Sequence, residues 1–155
     1  MQAEQRPVTS LSKSAVRATP APGHVRFDSD PCVLADIRRS DINLTVWQRG
    51  TAPAVPDEAM LATIDDVGVT MPAGHVATAL PAMLRKAGYA RALYRELGGD
   101  IAMLAQHVAA IAGCDTVAIR LEIVETDACK RFHSDYVSAR LISSYAGRGT
   151  QWLSD

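Results

Sequence analysis

The sequence predicts an α+β fold, in which a helical N-terminal half is followed by an antiparallel sheet. The chain has 155 residues, of which 48% are apolar, so a single domain can bury about two-thirds of its unfolded surface. Residues 75–113 show a helical spacing of apolar side chains, whereas Thr116–Glu125 alternates apolar and polar residues. These are the periods of helices and of half-buried strands, respectively. The two patterns in this order favour the α+β class.

Residues 1–27 are expected to be a disordered leader, and residues 28–155 a single α+β domain. The leader is rich in polar residues and prolines and has no continuous apolar stretch, which argues against a packed core and against a secretory signal. Asp30 followed by Pro31 predicts the start of a short helix, because aspartate caps free amide groups and proline suits the first turn. Ile42–Trp47 is predicted to be a strand.

Glycine and proline residues divide the helical region into predicted segments. Pro81 should start a new helix or kink an existing one, because proline has no amide hydrogen to donate. The Gly98–Gly99 pair should break the chain, and Asp100 should then cap a helix that ends at Gly113. The buried face of this last helix is predicted to consist of Ile101, Leu104, Val108 and Ile111.

Two consecutive segments are predicted to form the antiparallel sheet. The first has an apolar face made of Val117, Ile119, Leu121 and Ile123. A turn at Thr126–Ala128 leads to the second, which is predicted to have Ala139, Leu141, Ser143 and Tyr145 on one face. This sheet is expected to resemble part of a double-stranded β-helix, or jelly roll, either complete or incomplete.

Composition and charge exclude several classes of protein. The net charge of −1 argues against a basic nucleic-acid binder. The most apolar stretch, Ile101–Cys114, is shorter than the roughly 20 residues that span a bilayer. The three cysteines, Cys32, Cys114 and Cys129, lack the spacing of a disulfide framework and are interpreted as reduced thiols. We therefore expect a cytoplasmic protein that binds a small-molecule substrate or a protein partner, but neither nucleic acid nor membrane.

The sharpest chemical signal is the pair His133 and Asp135, two residues apart near the start of the second predicted strand. Side chains at positions i and i+2 of a strand point to the same face, so an imidazole and a carboxylate can bind one metal ion there. The spacing resembles the first two ligands of the facial triad in double-stranded β-helix Fe(II) oxygenases. In the structural alternative, the two side chains only form hydrogen bonds at a sheet edge.

A third metal ligand is not defined by the sequence. No histidine follows Asp135, whereas the third ligand of such triads normally comes from a later strand. Cys129 can complete a zinc site, because thiolate, imidazole and carboxylate are all zinc ligands. The other sources are a longer gene product and three earlier histidines, His24, His75 and His107. His107 lies on the flank of an apolar helix face and is interpreted more simply as a partly buried histidine.

The function predicted from these residues is that of a metal-binding protein resembling a non-haem Fe(II)/2-oxoglutarate-type oxygenase. Its cofactor is expected to be a divalent metal, Fe(II) or Zn(II), and its co-substrate 2-oxoglutarate. Arg140 is a candidate to bind the co-substrate, because a guanidinium group matches a carboxylate with two parallel hydrogen bonds; an exposed arginine of a strand is the alternative. The second hypothesis is a non-catalytic zinc-binding or partner-binding protein linked to metal homeostasis.

Two blocks of the sequence carry a family resemblance. One runs from Leu34–Arg39 to Asn43–Arg49, and the other from Arg120 through Asp127–Asp135 to Leu153. They resemble an uncharacterised bacterial family, the domain of unknown function 1826 family, some members of which carry a succinylglutamate desuccinylase label. The resemblance implies no settled activity, and the His-x-x-Glu ligands of a zinc-dependent desuccinylase do not occur in this sequence. It also implies that further strands and a later histidine follow this region.

Overall fold

The computed structural model of the chain describes residues 23–50, 53, 58–124 and 137–147, and it has the predicted α+β class. In chain order the elements are β1 (Val25–Asp28), a 3₁₀ helix (Pro31–Arg38), β2 (Leu44–Trp47), α1 (Glu58–Leu61), β3 (Val67–Pro72), a 3₁₀ turn (Ala73–His75), α2 (Val76–Lys86), α3 (Leu93–Ala112) and β4 (Thr116–Leu121). Strands precede and follow the long helices, so the helical half and the sheet are not as separate as predicted.

The four described strands form two sheets of two strands each. β1 and β2 are parallel, with Val25 opposite Leu44, and the 3₁₀ helix connects them. β3 and β4 are antiparallel, with Val69 opposite Ile119. An antiparallel pair is therefore present, but β4 pairs with a strand that precedes the helices rather than with residues 137–147. The jelly roll is not confirmed, because neither pair extends into a larger sheet within the described chain.

The start of the first helical segment agrees with the prediction. The Oδ1 atom of Asp30 accepts a hydrogen bond of 2.8 Å from the amide of Cys32, and Pro31 lies in the first turn, where no amide hydrogen is needed. The described residues begin at 23, and β1 starts at Val25, whose side chain is 2% exposed. Residues 1–22 of the expected leader lie outside the described residues.

The main core lies between α2, α3 and the β3–β4 sheet. Val76, Leu80 and Leu84 of α2 are completely buried, because a spacing of four residues places them on one face of the helix. Val117 of β4 is buried against the same core. α2 continues through Pro81, so no new helix starts there. We attribute this to the apolar contacts on the buried face, which offset the hydrogen bond that proline removes.

The Gly98–Gly99 pair does not break the chain, contrary to the prediction, because α3 is one helix from Leu93 to Ala112. Gly98 is buried, and a Cβ atom placed on it would lie 3.9 Å from Cδ1 of Leu84 in α2. The glycine thus lies inside a helix and not at a helix end, and an alanine methyl group there would be in ordinary van der Waals contact with Leu84. Asp100 lies inside α3 and does not cap it.

Gly99→Ala is expected to raise the free energy of unfolding by about 0.8 kcal/mol, because glycine in a helix interior is less favourable than alanine by that amount. No neighbouring atom lies within 4 Å of the position that the new methyl group would occupy, so no clash opposes the gain. Chemical denaturation of the two proteins measures the difference. A decrease in stability would contradict a helix that continues through this position.

The end of α3 and the strand that follows it agree with the sequence. Gly113 ends the helix with a left-handed φ of 66°, a conformation that glycine adopts without steric cost. In β4, Val117 is buried and Ile119 half-buried, whereas Ala118 and Arg120 are exposed. The alternation predicted for this strand is confirmed.

Candidate functional site

An ion pair between distant parts of the chain lies at the centre of the candidate site. Arg49 follows β2, and Asp100 lies in the middle of α3. The Nη1 atom of Arg49 is 2.6 Å from Oδ1 and 2.8 Å from Oδ2 of Asp100. The two side chains are only 16% and 12% exposed, respectively. Because water screens such a pair poorly, each charge depends on the other for its stabilisation.

Two side chains of the C-terminal segment 137–147 bind to this ion pair. The Nη2 atom of Arg49 donates a 2.7 Å hydrogen bond to Oγ of Ser143, and the hydroxyl of Tyr145 donates a 2.6 Å hydrogen bond to Oδ2 of Asp100. We call Arg49, Asp100, Ser143 and Tyr145 the Asp100 cluster. It joins the end of β2, α3 and the C-terminal segment.

The four residues predicted to share one face of the C-terminal segment have similar burial, although the segment forms no strand. Ala139, Leu141, Ser143 and Tyr145 are half-buried, and the residues between them are exposed. Extended backbone places alternate side chains on opposite faces with or without a paired neighbour. The alternation is therefore observed, but not the strand pairing that was expected to accompany it.

Aromatic rings pack against the guanidinium group of the cluster. The Cζ atom of Arg49 lies 5.5 Å from the ring centre of Trp47 and 5.9 Å from that of Tyr145. Cations are attracted to the faces of aromatic rings at such distances. The ring of Trp47 also contacts His107 of α3 edge-on, with centroids 6.1 Å apart. This half-buried position agrees with the interpretation of His107 as an ordinary packed histidine.

The interactions of the Asp100 cluster attach the C-terminal segment to α3 and to the end of β2. Burial and the Asp100 carboxylate both raise the pKa of the Tyr145 phenol well above its usual range, so its hydroxyl stays protonated and donates to Asp100. In the described part of the chain, every buried side-chain nitrogen or oxygen has a hydrogen-bond partner. The cluster therefore holds one segment of the chain against another.

The metal ligands predicted from the sequence, Cys129, His133 and Asp135, lie outside the described residues. Arg140 is described, and its side chain is exposed. In residues 23–50, 53, 58–124 and 137–147, no group of three or more histidine, cysteine, aspartate or glutamate side chains is placed to hold a metal ion. The predicted metal site therefore stays a prediction.

The residues of the Asp100 cluster were not identified as site residues from the sequence. Ser143 and Tyr145 were assigned to one face of a strand, and Asp100 to a helix cap. One signal was available, because Asp100 is three residues after Leu97 and four before Leu104. Both leucines are buried, so the carboxylate lies on the apolar side of α3 and needs a partner there.

Two of the three cysteines are described, and both are exposed and free of disulfide bonds. Hydrogen bonding to Asp30 and the charge of that carboxylate raise the pKa of the Cys32 thiol, which disfavours its reactive thiolate form. In this part of the chain, no helix is both long and apolar enough to cross a membrane.

Comparison with known proteins identifies a family without adding an activity. The family model described as a protein of unknown function (DUF1826) matches residues 28–155. No curated protein and no solved structure shows significant similarity to the chain. The matched region covers most of the chain and both sequence blocks on which the resemblance was based. The chain therefore belongs to the DUF1826 family.

Proposed function

We propose that the chain is a metal-binding protein resembling the non-haem Fe(II)/2-oxoglutarate-type oxygenases. His133 and Asp135 are the proposed ligands, and Cys129 is a further one. The observation that carries the proposal is the His-x-Asp spacing, which at the edge of a strand would place both side chains on one face, where they can share a cation. Imidazole and carboxylate are ligands that both Fe(II) and Zn(II) accept, and thiolate adds a preference for zinc.

Attachments on both sides of the segment 125–136 support this proposal. Before the segment, β4 ends at Leu121, and the amide of Ile123 donates a 3.1 Å hydrogen bond to Oδ1 of Asp66. After the segment, Ser143 and Tyr145 bind to the Asp100 cluster. A ligand-bearing segment whose two ends are attached to one core is better suited to hold a metal ion than a free tail, because less conformational entropy is lost on binding.

The same proposal includes a co-substrate. A bound Fe(II) ion with open coordination positions would supply oxidative chemistry with 2-oxoglutarate. Arg140 is proposed to bind a carboxylate of that co-substrate, because a guanidinium group matches a carboxylate with two parallel hydrogen bonds. A jelly-roll continuation is also part of the proposal, and the strand-like alternation of residues 137–147 supports it.

A second candidate function is a non-catalytic zinc-binding or partner-binding protein. Within the described residues each sheet has only two strands, so each strand has an edge with no paired neighbour there. Such edges can accept a strand from another protein. Metal analysis separates the two candidates: iron with 2-oxoglutarate turnover favours the oxygenase, whereas tightly bound zinc without turnover favours the binding protein.

Replacing a proposed ligand is expected to abolish stoichiometric metal binding. The full chain is titrated with Zn(II) and, without oxygen, with Fe(II), and the bound metal is counted by elemental analysis after gel filtration. We expect one ion per chain for the wild type and little for His133→Ala, Asp135→Asn or Cys129→Ser. Alanine has no donor atom, asparagine lacks the negative charge of the carboxylate, and serine replaces the thiolate with a neutral hydroxyl.

Matched controls come from exposed residues of the described chain. Asp65→Asn and Cys114→Ser repeat, at exposed positions, the changes made in Asp135→Asn and Cys129→Ser. Both control variants should retain the metal. Retention of the ion by His133→Ala and Asp135→Asn would overturn the proposed ligand set. A wild-type chain that binds neither ion would overturn the function itself.

A further inference from the structure

We infer that β4 pairs edge to edge with β4 of a second copy of this chain, so that two copies share one antiparallel sheet across a two-fold axis. β3 lies on one side of β4, and among the described residues no strand lies on the other side. The inference concerns residues 116–124, all of which are described. It goes beyond the proposed function and requires no metal ion.

The backbone of this stretch directs every second residue towards β3. The carbonyl of Asp115 accepts a 2.8 Å hydrogen bond from the amide of Ala73, and the amide of Ile123 donates one of 3.1 Å to Oδ1 of Asp66. Both contacts lie on the β3 side, and the two residues of the strand are an even number of positions apart. Because backbone groups alternate in direction along an antiparallel strand, the groups that point away from β3 belong to Ala118, Arg120, Glu122 and Val124.

The outer edge of β4 lacks most features that prevent pairing with another chain. Edge strands are normally protected by prolines, bulges or charges. β3 contains Gly68 and Pro72, whereas residues 116–124 contain neither glycine nor proline and are rich in β-branched side chains, which favour strands. Val124, at the end of this stretch, is 71% exposed. The only charged residues are Arg120 and Glu122, which have opposite signs and therefore do not oppose pairing in every register.

The charges of this edge favour one register for a second copy. Arg120 and Glu122 lie on the same face, 3.5 Å apart, and their side chains are 77% and 47% exposed. With Leu121 of both copies on the two-fold axis, Arg120 of each copy lies directly opposite Glu122 of the other. An axis at Arg120 or at Glu122 places like charges opposite each other, which is destabilising. An axis at Ile119 or Ile123 forms no charge pair, so charge complementarity favours Leu121.

The same register suits the backbone and both faces of the sheet. The facing charged residues both direct their amide and carbonyl groups outwards, so each facing pair exchanges two hydrogen bonds. On the exposed face, Val124 of one copy lies opposite Ala118 of the other. On the face that packs against the core, Ile119 lies opposite Ile123, and both are only half-buried in the single chain. Pairing therefore removes further apolar surface from water, which stabilises the dimer.

Charge reversal tests the pairing and its register together. Sedimentation equilibrium of the full chain, with a chelator present and at low ionic strength, should show a reversible dimer. Arg120→Glu or Glu122→Arg makes both facing pairs like-charged, so the dissociation constant of the dimer should rise roughly tenfold. Mixing the two variants should restore dimers, because a chain with two glutamates then faces a chain with two arginines. The double variant, with both charges exchanged, should dimerise as the wild type does.

Two further variants separate strand pairing from a general effect of charge. Arg85→Glu makes the same change of charge at an exposed position of α2 and should leave the dimer unchanged. Ala118→Pro removes an amide hydrogen that points away from β3, so the pairing between β3 and β4 is kept, as it is for prolines at strand edges. This variant should weaken the dimer, and circular dichroism should show that it is folded.

Several results would overturn the inference. A wild-type chain that stays monomeric at its highest soluble concentration excludes the dimer. A dimer that Arg120→Glu leaves equally tight, or that mixing the two charge variants does not restore, uses another surface. Slow hydrogen exchange of the Arg120 and Glu122 amides in a monomeric sample would show that the edge is already paired within one chain. None of these results bears on the metal site, which is tested separately by the metal titrations.

Discussion

Leu84→Ala is expected to lower the free energy of unfolding by about 4 kcal/mol, within the range of about 2–5 kcal/mol for leucine-to-alanine changes in cores. Leu84 is fully buried in α2, and its Cδ1 atom faces the backbone of Gly98 in α3. Because Gly98 has no side chain that can move into the space, the cavity should stay open, and the loss rises with cavity volume. Denaturant unfolding followed by circular dichroism measures it.

The neighbouring positions provide matched comparisons. Met83→Ala truncates a half-buried side chain in the same turn of α2 and should cause a clearly smaller loss. Leu84→Met nearly conserves volume and should cost less than about 1.5 kcal/mol. Adding Gly98→Ala to Leu84→Ala places a methyl group in the cavity, so the double variant should be more stable than the two single effects predict. Equal losses for Leu84→Ala and Met83→Ala would contradict this close helix packing.

The parts of the fold that could be predicted from the sequence are those specified by neighbouring residues. The cap at Asp30, the helix end at Gly113 and the alternation in β4 each depend on a few adjacent positions. β3 was missed because Gly68 and Pro72, residues that are rare in strands, interrupt its pattern. Its strand character comes from pairing with β4, which lies on the far side of two helices.

The Gly98–Gly99 pair illustrates an ambiguity that a local pattern cannot resolve. Glycine ends helices, but it also allows two helices to approach closely. In the structure α3 continues through both glycines, and Gly98 is buried against Leu84 across the interface between α2 and α3. Because the pair was interpreted as a break, Asp100 was assigned to a cap, and its true partner was not sought.

The candidate site likewise has a part that local sequence predicts and a part that depends on residues far apart in the chain. The His133 and Asp135 pattern is visible because its residues are adjacent in sequence, and it stays a prediction. The Asp100 cluster could not be assembled from the sequence, because Arg49 is 51 residues from Asp100 and 94 from Ser143. Only a carboxylate on an apolar helix face indicated that a partner was needed, and nothing local identified that partner as Arg49.

Arg49→Ala is expected to lower the free energy of unfolding by about 3 kcal/mol, because it leaves the Asp100 carboxylate largely buried without its cation. Asp100→Ala should have a similar effect, since it strands the guanidinium group. Removing both should cost clearly less than the sum of the two single changes, because neither charge is then left alone. A double-mutant cycle by denaturant unfolding measures this coupling, and additive losses would contradict it.

A pair of the same residue types on the surface provides the control. Arg39 and Asp41 are joined by a contact of 2.9 Å, nearly as short as the 2.8 Å contact between Arg49 and Asp100, but their side chains are 51% and 58% exposed. Water already stabilises both charges there, so Arg39→Ala should change stability little, and added salt should remove what effect remains. The coupling between Arg49 and Asp100 should persist in salt, because the low exposure of both side chains limits screening. Low exposure, rather than contact distance, therefore makes this pair important for attachment of the C-terminal segment.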